Sequence, residues 1–535
     1  MRLRLFACIA FALALTTGTS ALAHVGSPDI LFEGKAGPYN LLVSIQPPDV
    51  VPGIARISVR ADGGDISRVT VQPIYFRTGG EGAPRPDEAE RVQGDPRFFE
   101  GKLWLMEFGS SSVRVRAEGI SGSGEVIVPV PAVATARRGI DVKLGLLLGC
   151  LGLFLFAGAV AVVGVCAREA ILPPGSTVTP DDRGRARKIM LIAVALIAIA
   201  IIFGGKWWRF VDSRYLEHMY KPIGLSATVG AEGSGRALRL VMSNTEWLDR
   251  QSGDLIPDHG KLMHLFLVRE PSLDSFAHLH PIRSDADAFE VTLPPIPEGH
   301  YRIYADVVHK NGLIETLTAE ADVPPLSGTQ QSQASTYNSA DPDDSWLAHG
   351  NGSQAEQRLA DGSTMTWERD ANAPLIAERL ESLRFFVKTP DGGPSVLEPY
   401  MGMLGHAVVM RKDGAVFVHV HPVGTVSMAS QQAFTERVSA AGPDKGAGDV
   451  NLADGDKDAG SDSGEMSGMR HWSQRGGTDH SAHTGGRGPS ERAAGDSGGI
   501  VSFPYLFPKP GDYRIWVQVK RDGRVLTGVY DVNVL

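Results

Sequence analysis

The chain has 535 residues, with 52 Lys+Arg against 61 Asp+Glu and a net charge of −9, so it lacks the basic balance that a nucleic-acid partner demands. Its three cysteines, Cys8, Cys150 and Cys166, fall outside the stretches that read as soluble domains, which excludes a disulfide framework, a cysteine zinc site and a c-type haem motif. Phosphate-binding loops, the G-x-S-x-G elbow and H-E-x-x-H are missing too, so the chain reads as a binding protein and not an enzyme.

Residues 1–23 have the layout of a secretory signal peptide. Arg2 and Arg4 precede the apolar run Leu5–Leu15, and Ala21-Leu22-Ala23 is a small-residue cleavage site. Cleavage after Ala23 would leave His24 at the mature N-terminus. Residues 24–138 then carry short alternating runs punctuated by Gly and Pro, such as Tyr39–Ile45, Val69–Tyr75 and Glu125–Val130, a pattern that predicts a β-sandwich.

Two apolar segments follow, Leu144–Val165 with 22 uncharged residues and Ile189–Gly205 with 17, both within reach of a membrane span. Lys206-Trp207-Trp208-Arg209 reads as an interfacial anchor after the second. A cleaved signal and two spans imply a protein integrated in the cell inner membrane. Residues 166–188 would be a short cytoplasmic loop, with both large soluble parts in the periplasm or outside.

The remainder is β-like and duplicated. Leu255-Ile256-Pro257 ends seven residues before His264, and Leu397-Glu398-Pro399 ends seven residues before His406. His278-Leu279-His280-Pro281 is answered by His419-Val420-His421-Pro422, and the closing Gly299-His-Tyr-Arg-Ile-Tyr304 by Gly511-Asp-Tyr-Arg-Ile-Trp516. Residues 222–325 and 346–535 are therefore expected to be two further sandwiches joined by a linker, 326–345. Within the second, residues 428–499 are rich in Gly, Ser, Asp and Ala, and that composition predicts disorder. The fold class expected is mainly β: three Ig-like β-sandwich domains with a two-helix transmembrane hairpin between the first and second.

Of 15 histidines, 14 lie at or beyond residue 218. The Asp413-Gly414 turn, counted outward along an antiparallel ladder, sets His406 opposite His421, with His419 on the same face. The same counting sets His264 opposite His280, beside His278. Three imidazoles on one face suit copper or zinc. His259, Met401 and Met403 are further candidate ligands; the shared Leu-x-Pro frame aligns His259 with Met401, and thioethers favour copper. Histidines that hydrogen-bond to loop backbone or sense pH remain the alternative reading. The insert adds Met466, Met469, His471, His480 and His483, together with an acidic run from Asp454 that partly matches a calcium loop but has Ala459 where glycine is required.

These H-x-H strands with nearby Met and His resemble the extracytoplasmic YtkA-like and copper-resistance-type (CopC-like) β-sandwich modules of bacteria, over about 222–325 and 380–535. The mature His24 resembles the copper-resistance type as well. The resemblance implies copper binding, delivery or resistance through twin three-His sites, with copper ion as partner. The alternative is a non-catalytic scaffold or assembly factor for a membrane protein complex such as a respiratory oxidase. A metal enzyme would need an acid or base beside the metal, and the sequence supplies no candidate.

Overall fold

The protein is seen in a computed structural model that describes residues 24–62 apart from 26–28, residues 66–326 apart from 174, 233–234, 244–246, 249 and 252, residues 341–439 apart from 371, and residues 498–535. The signal segment 1–23 and the insert from 440 to 497, with its methionines, histidines and acidic run, lie outside the described residues. The chain is mainly β, built from several sheets, with two long apolar helices.

Residues 30–132 make one eight-stranded path around a single core. Strict alternation drives it: in Tyr39–Gln46, Tyr39, Leu41, Val43 and Ile45 all point inward. Two strands missed in the sequence, Ile30–Ala36 and Asp87–Arg91, complete the path.

The helices span Val142–Glu169 and Pro180–His218 and are long and apolar enough to cross a membrane. Asp141 caps the first by accepting the amides of Lys143 and Leu144, while Thr179 and Asp182 form a capping box on the second. The second runs well beyond the apolar limit at Gly205. Its C-terminal turns are tied to the chain that precedes the first helix: the Tyr215 hydroxyl donates to the Ala136 carbonyl at 2.9 Å, and Arg137 pairs with Asp212 at 2.8 Å. The helix pair thus returns the chain to the side it left.

Each repeat is a pair of sheets. In the first, Leu225–Glu232, Gly235–Met242, Ile282–Asp285 and Ala288–Leu293 form an outer sheet. Its inner sheet holds His264–Arg269, Phe276–Leu279, Gly299–His309 and Ile314–Val323. In the second, Thr364–Trp367, Leu380–Lys388 and Ile500–Leu506 stand against an inner sheet of His406–Arg411, Val416–Val420, Gly511–Arg521 and Arg524–Val534. His24–Val25 adds to the edge of that inner sheet, parallel to Val416–Val420.

The two inner sheets pack on one another, which is why their strands read as unbroken apolar runs. Leu265 and Leu267 fill the first repeat's own core, whereas Phe266 and Val268 meet Val408 and Met410 of the second. Phe276 stacks on Trp516 (centroids 4.9 Å apart, planes at 13°) and Tyr304 on Phe417 (3.7 Å, 7°). Phe276 corresponds to Phe417 in the duplication and Tyr304 to Trp516, so the contact is reciprocal and the repeats are related by a local two-fold.

Two boundaries need correction. The linker expected at 326–345 ends in a strand, Ser345–Leu347, that pairs with Phe276–Leu279. The insert expected to be disordered from 428 opens with a helix, Met428–Ser439. Phe434 packs edge-on to Phe76 of the first β unit at 5.3 Å, and Gln431 donates to the Ile127 carbonyl at 2.9 Å. Averaging over the glycine-rich stretch behind it hid this helix.

Candidate metal centre

The strand registers set the histidines. Val408 faces His419 and Ala407 faces Val420, so one further step brings His406 level with His421; Leu265 facing Leu279 does the same for His264 and His280. Within each repeat the three imidazoles offer nitrogens all within 4.8 Å of one another. Both groups sit where the inner sheets meet, at one end of the aromatic contact. They also lie close to one another: the rings of His264 and His419 are 5.5 Å apart, as are those of His278 and His419. The two triads, expected as twin three-His sites, meet across the interface of the repeats.

Each triad is held from outside by the same hydrogen bonds. His264 Nε2 lies 3.2 Å from the Asp258 carbonyl, and His406 Nε2 lies 3.2 Å from the Tyr400 carbonyl. These carbonyls belong to matched tight turns, 258–261 and 400–403, in which His259 (φ 51°) and Met401 (φ 49°) each precede a left-handed glycine. A carbonyl can only accept, so each Nε2 carries the proton and each Nδ1 keeps its lone pair. His278 Nδ1 faces Gln518 Oε1 at 2.9 Å, and His419 Nδ1 faces the Asp306 carboxylate at 3.4 Å, which leaves both Nε2 atoms as acceptors. His280 Nδ1 donates to Asp344 at 2.9 Å and leaves its Nε2 unpartnered.

The inward nitrogens therefore confront one another without a proton between them. His264 Nδ1 and His278 Nε2 are 3.3 Å apart, and His406 Nδ1 and His419 Nε2 are 3.0 Å apart. Two nitrogens bound to one tetrahedral metal at about 2.0–2.1 Å lie about 3.3 Å from each other, so the spacing fits an ion between them. The buried nitrogens of His259 Nε2 and of both His421 ring positions also have no hydrogen-bond partner.

Charge points the same way. Burial, followed by the neighbouring imidazoles, pulls His278, His280, His406 and His419 well below the ordinary histidine range. His264 falls to about 4 through burial, against the pull of Asp258, and His421 to about 3. Neutral imidazole is the ligating form. Burial pushes the Asp306 carboxyl up to about 7.

The other nominated ligands divide. His259, proposed for its own repeat, lies closer to the second triad: its ring is 5.1 Å from His421 and 5.5 Å from His406, against 6.1 Å from His264. Met401 and Met403 are buried on the matching turn. Two methionines next to the triads in sequence, Met263 and Met410, belong to hydrophobic cores instead. His300 pairs with Asp322 at the surface and His309 with buried Glu315, both apart from the triads.

Sequence reasoning missed the groups that hold the triads. Asp306 and Gln518 occupy the same place in the closing motif, seven residues after Gly299 and Gly511, opposite His264 and His406. Each reaches the middle histidine of the other repeat. Extending the motif comparison by two residues would have found them. Asp341 and Asp344 fall in the stretch expected to be a linker, 326–345, where polar composition gives no sign of a site.

A sequence model of a domain of unknown function (DUF8832) matches this chain twice, over residues 225–324, which covers the first repeat, and over 357–454, which covers the first part of the second. No protein of curated function matches. Solved structures with some similarity include a tetra-tandem repeat from the extending region of a large adhesion protein (8% identity, 91% of this chain and 71% of that one, TM-score 0.15). Another is Salmonella alpha-2-macroglobulin reacted with methylamine (8% identity, 97% of this chain and 24% of that one, TM-score 0.18). At such scores neither says anything about this fold.

Proposed function

We propose that this protein is a membrane-anchored metal-binding protein of the bacterial cell envelope, in which the two His triads together hold a pair of metal ions, with copper as the leading ion and zinc as the alternative. The first site would use His264, His278 and His280, and the second His406, His419 and His421 with His259 beside them. The observation that carries the reading is the tautomer pattern: outer nitrogens are committed to Asp258, Tyr400, Gln518, Asp306 and Asp344, while inner nitrogens point lone pairs at one another at 3.0 and 3.3 Å. Lone pairs so arranged repel, and a cation between them removes the repulsion.

Copper leads because thioethers favour it and Met401 is buried on the turn that matches the one bearing His259, and because the H-x-H strands resemble YtkA-like and CopC-like modules. In this reading the three β units are Ig-like and lie in the periplasm, which agrees with the first unit and the repeats lying on one side of the helix pair. The role is binding, delivery or resistance. The test is metal content per chain after purification of the intact protein from membranes. The parent should carry copper or zinc, and a variant with all six triad histidines changed to Ala should carry none. Equal metal in both would overturn the reading and return the histidines to a structural role.

A further inference from the structure

The first β unit has no histidine after residue 24, yet it is built against the metal centre. The loop that follows His421 turns at Gly424 (φ 112°), where a Cβ would lie 2.1 Å from the Leu31 carbonyl. Only glycine lets the first unit approach so closely. Thr425 then exchanges backbone and hydroxyl hydrogen bonds with Leu31, and the Ala429 amide at the start of the following helix donates to Asp258 at 3.0 Å. The first unit is thereby fastened to the residues flanking both triads.

Fastening it there leaves a cavity of about 300 Å³ at the junction of the three β units. Pro48, Pro129, Pro131 and Val133 of the first unit form one wall, and Ile314, Asp306, His419 and Thr425 of the repeats form the other. A second cavity of about 40 Å³ shares Asp306, Ile314, His419 and Thr425 with the first and continues to His264, His421 and Asp258. A water needs roughly 10–15 Å³ of such space, so the inner cavity takes an ion with a water or two, and the outer one a hydrated ion. Three carboxylates line the outer cavity. Asp49 is paired with Arg138 and Glu315 with Arg250, whereas Asp306 bonds Thr316 and faces His419.

We propose that this chamber is the route by which metal ions reach and leave the histidine centre, with Asp306 as the carboxylate that meets the ion where the two cavities join, and that the first β unit serves as its outer wall. The proposal rests on the metal reading above and adds to it a function for residues 24–138. The rigid proline-lined wall exposes the ion to few ligands before Asp306, so passage is directed inward. A bulky group on the wall should block passage without touching a ligand.

The experiment uses the full chain in detergent with Val133→Cys, a change to a smaller side chain, and Thr135→Cys as a second position on the same wall. A methanethiosulfonate reagent carrying a bulky aromatic group plugs the cysteine after folding, and a phosphine removes it. Copper uptake and chelator-driven release are followed by stopped flow, with the labelled parent controlling for Cys150 and Cys166, which are exposed on the helices. Plugging should slow both rates roughly tenfold or more, leave the final copper content unchanged, and be reversed by the phosphine. Rates indifferent to the plug at both positions would overturn the route while leaving the metal reading intact. A parent that takes up no metal overturns both.

Discussion

The two triads began as copies and differ now in what surrounds them. His278, in the first repeat, gives its outer proton to the neutral amide of Gln518, whereas His419, in the second, faces the carboxylate of Asp306. His280 is anchored by Asp344, but both ring nitrogens of His421 lack a hydrogen-bond partner, and His259 leans in beside it. A carboxylate behind an imidazole raises its basicity more than an amide does. The comparison teaches that the duplication conserves the inward nitrogens and varies the outer ones, so the second site, with a carboxylate behind one imidazole, should bind the harder ion and the first the softer.

Acid should have the largest effect on this comparison in the metal-free protein. Six imidazoles have folded-state values below their unfolded value near 6.5, two of them at about 4 and about 3. As pH falls below about 6.5 the unfolded chain takes up protons that the folded chain refuses. Each group then removes about 1.4 kcal/mol of stability per pH unit until its folded value is reached. Asp306 acts oppositely, since its raised carboxyl at about 7 gains stability as pH falls toward its unfolded value, but it is one group against six. Metal-free protein should therefore lose stability steeply from about pH 6.5 downward in denaturant titrations, and a flat profile would contradict neutral burial. In the folded protein the sites should keep metal below pH 6, because these imidazoles stay unprotonated there.

Removing the packing that joins the sheets comes next. Trp516→Ala deletes the partner of Phe276 and should cost about 3–5 kcal/mol, read as a shift of the unfolding midpoint of the repeat region. It should weaken both sites together, since each draws support from both repeats. A loss confined to the second site would mean the triads are independent.

Single ligand changes separate the sites. His406→Ala should weaken the second site by about a hundredfold or more, and His419→Ala added to it should cost little further, because the two share one ion. Gln518→Leu should weaken the first site, and Asp306→Asn the second, by about 10–100-fold each. If both changes act equally on both sites, the assignment of outer partners is wrong. Deleting residues 440–497 should leave cooperative unfolding unchanged, because surface inserts cost little to close.

Much of this was legible in the sequence, for a physical reason. The two-residue turn at Asp413-Gly414 and the period of two along a strand are local rules, and they carry the register from the turn to His406 and His421 without any knowledge of the tertiary fold. What lay beyond local rules was missed. Nothing in the sequence says that Phe266 and Val408 face another sheet, because a strand buried on both faces loses the alternation that reveals its orientation. The meeting of the triads, the crossing of His259 to the other repeat and the reach of Asp306 and Gln518 all follow from that second buried face. The strand at Ser345–Leu347 and the helix at Met428–Ser439 were hidden for a different reason, being short elements inside polar, glycine-rich composition that is stabilised only by docking on neighbours.

The central claim is that two ions share one centre spanning both repeats, and electron paramagnetic resonance of the copper(II)-loaded intact protein tests it most directly. Two ions per chain should give a half-field transition from a coupled pair, and the His264→Ala, His278→Ala, His280→Ala variant should lose that transition and show one isolated ion at the second site. Two ions without coupling, or coupling that survives the loss of one whole triad, would contradict the account.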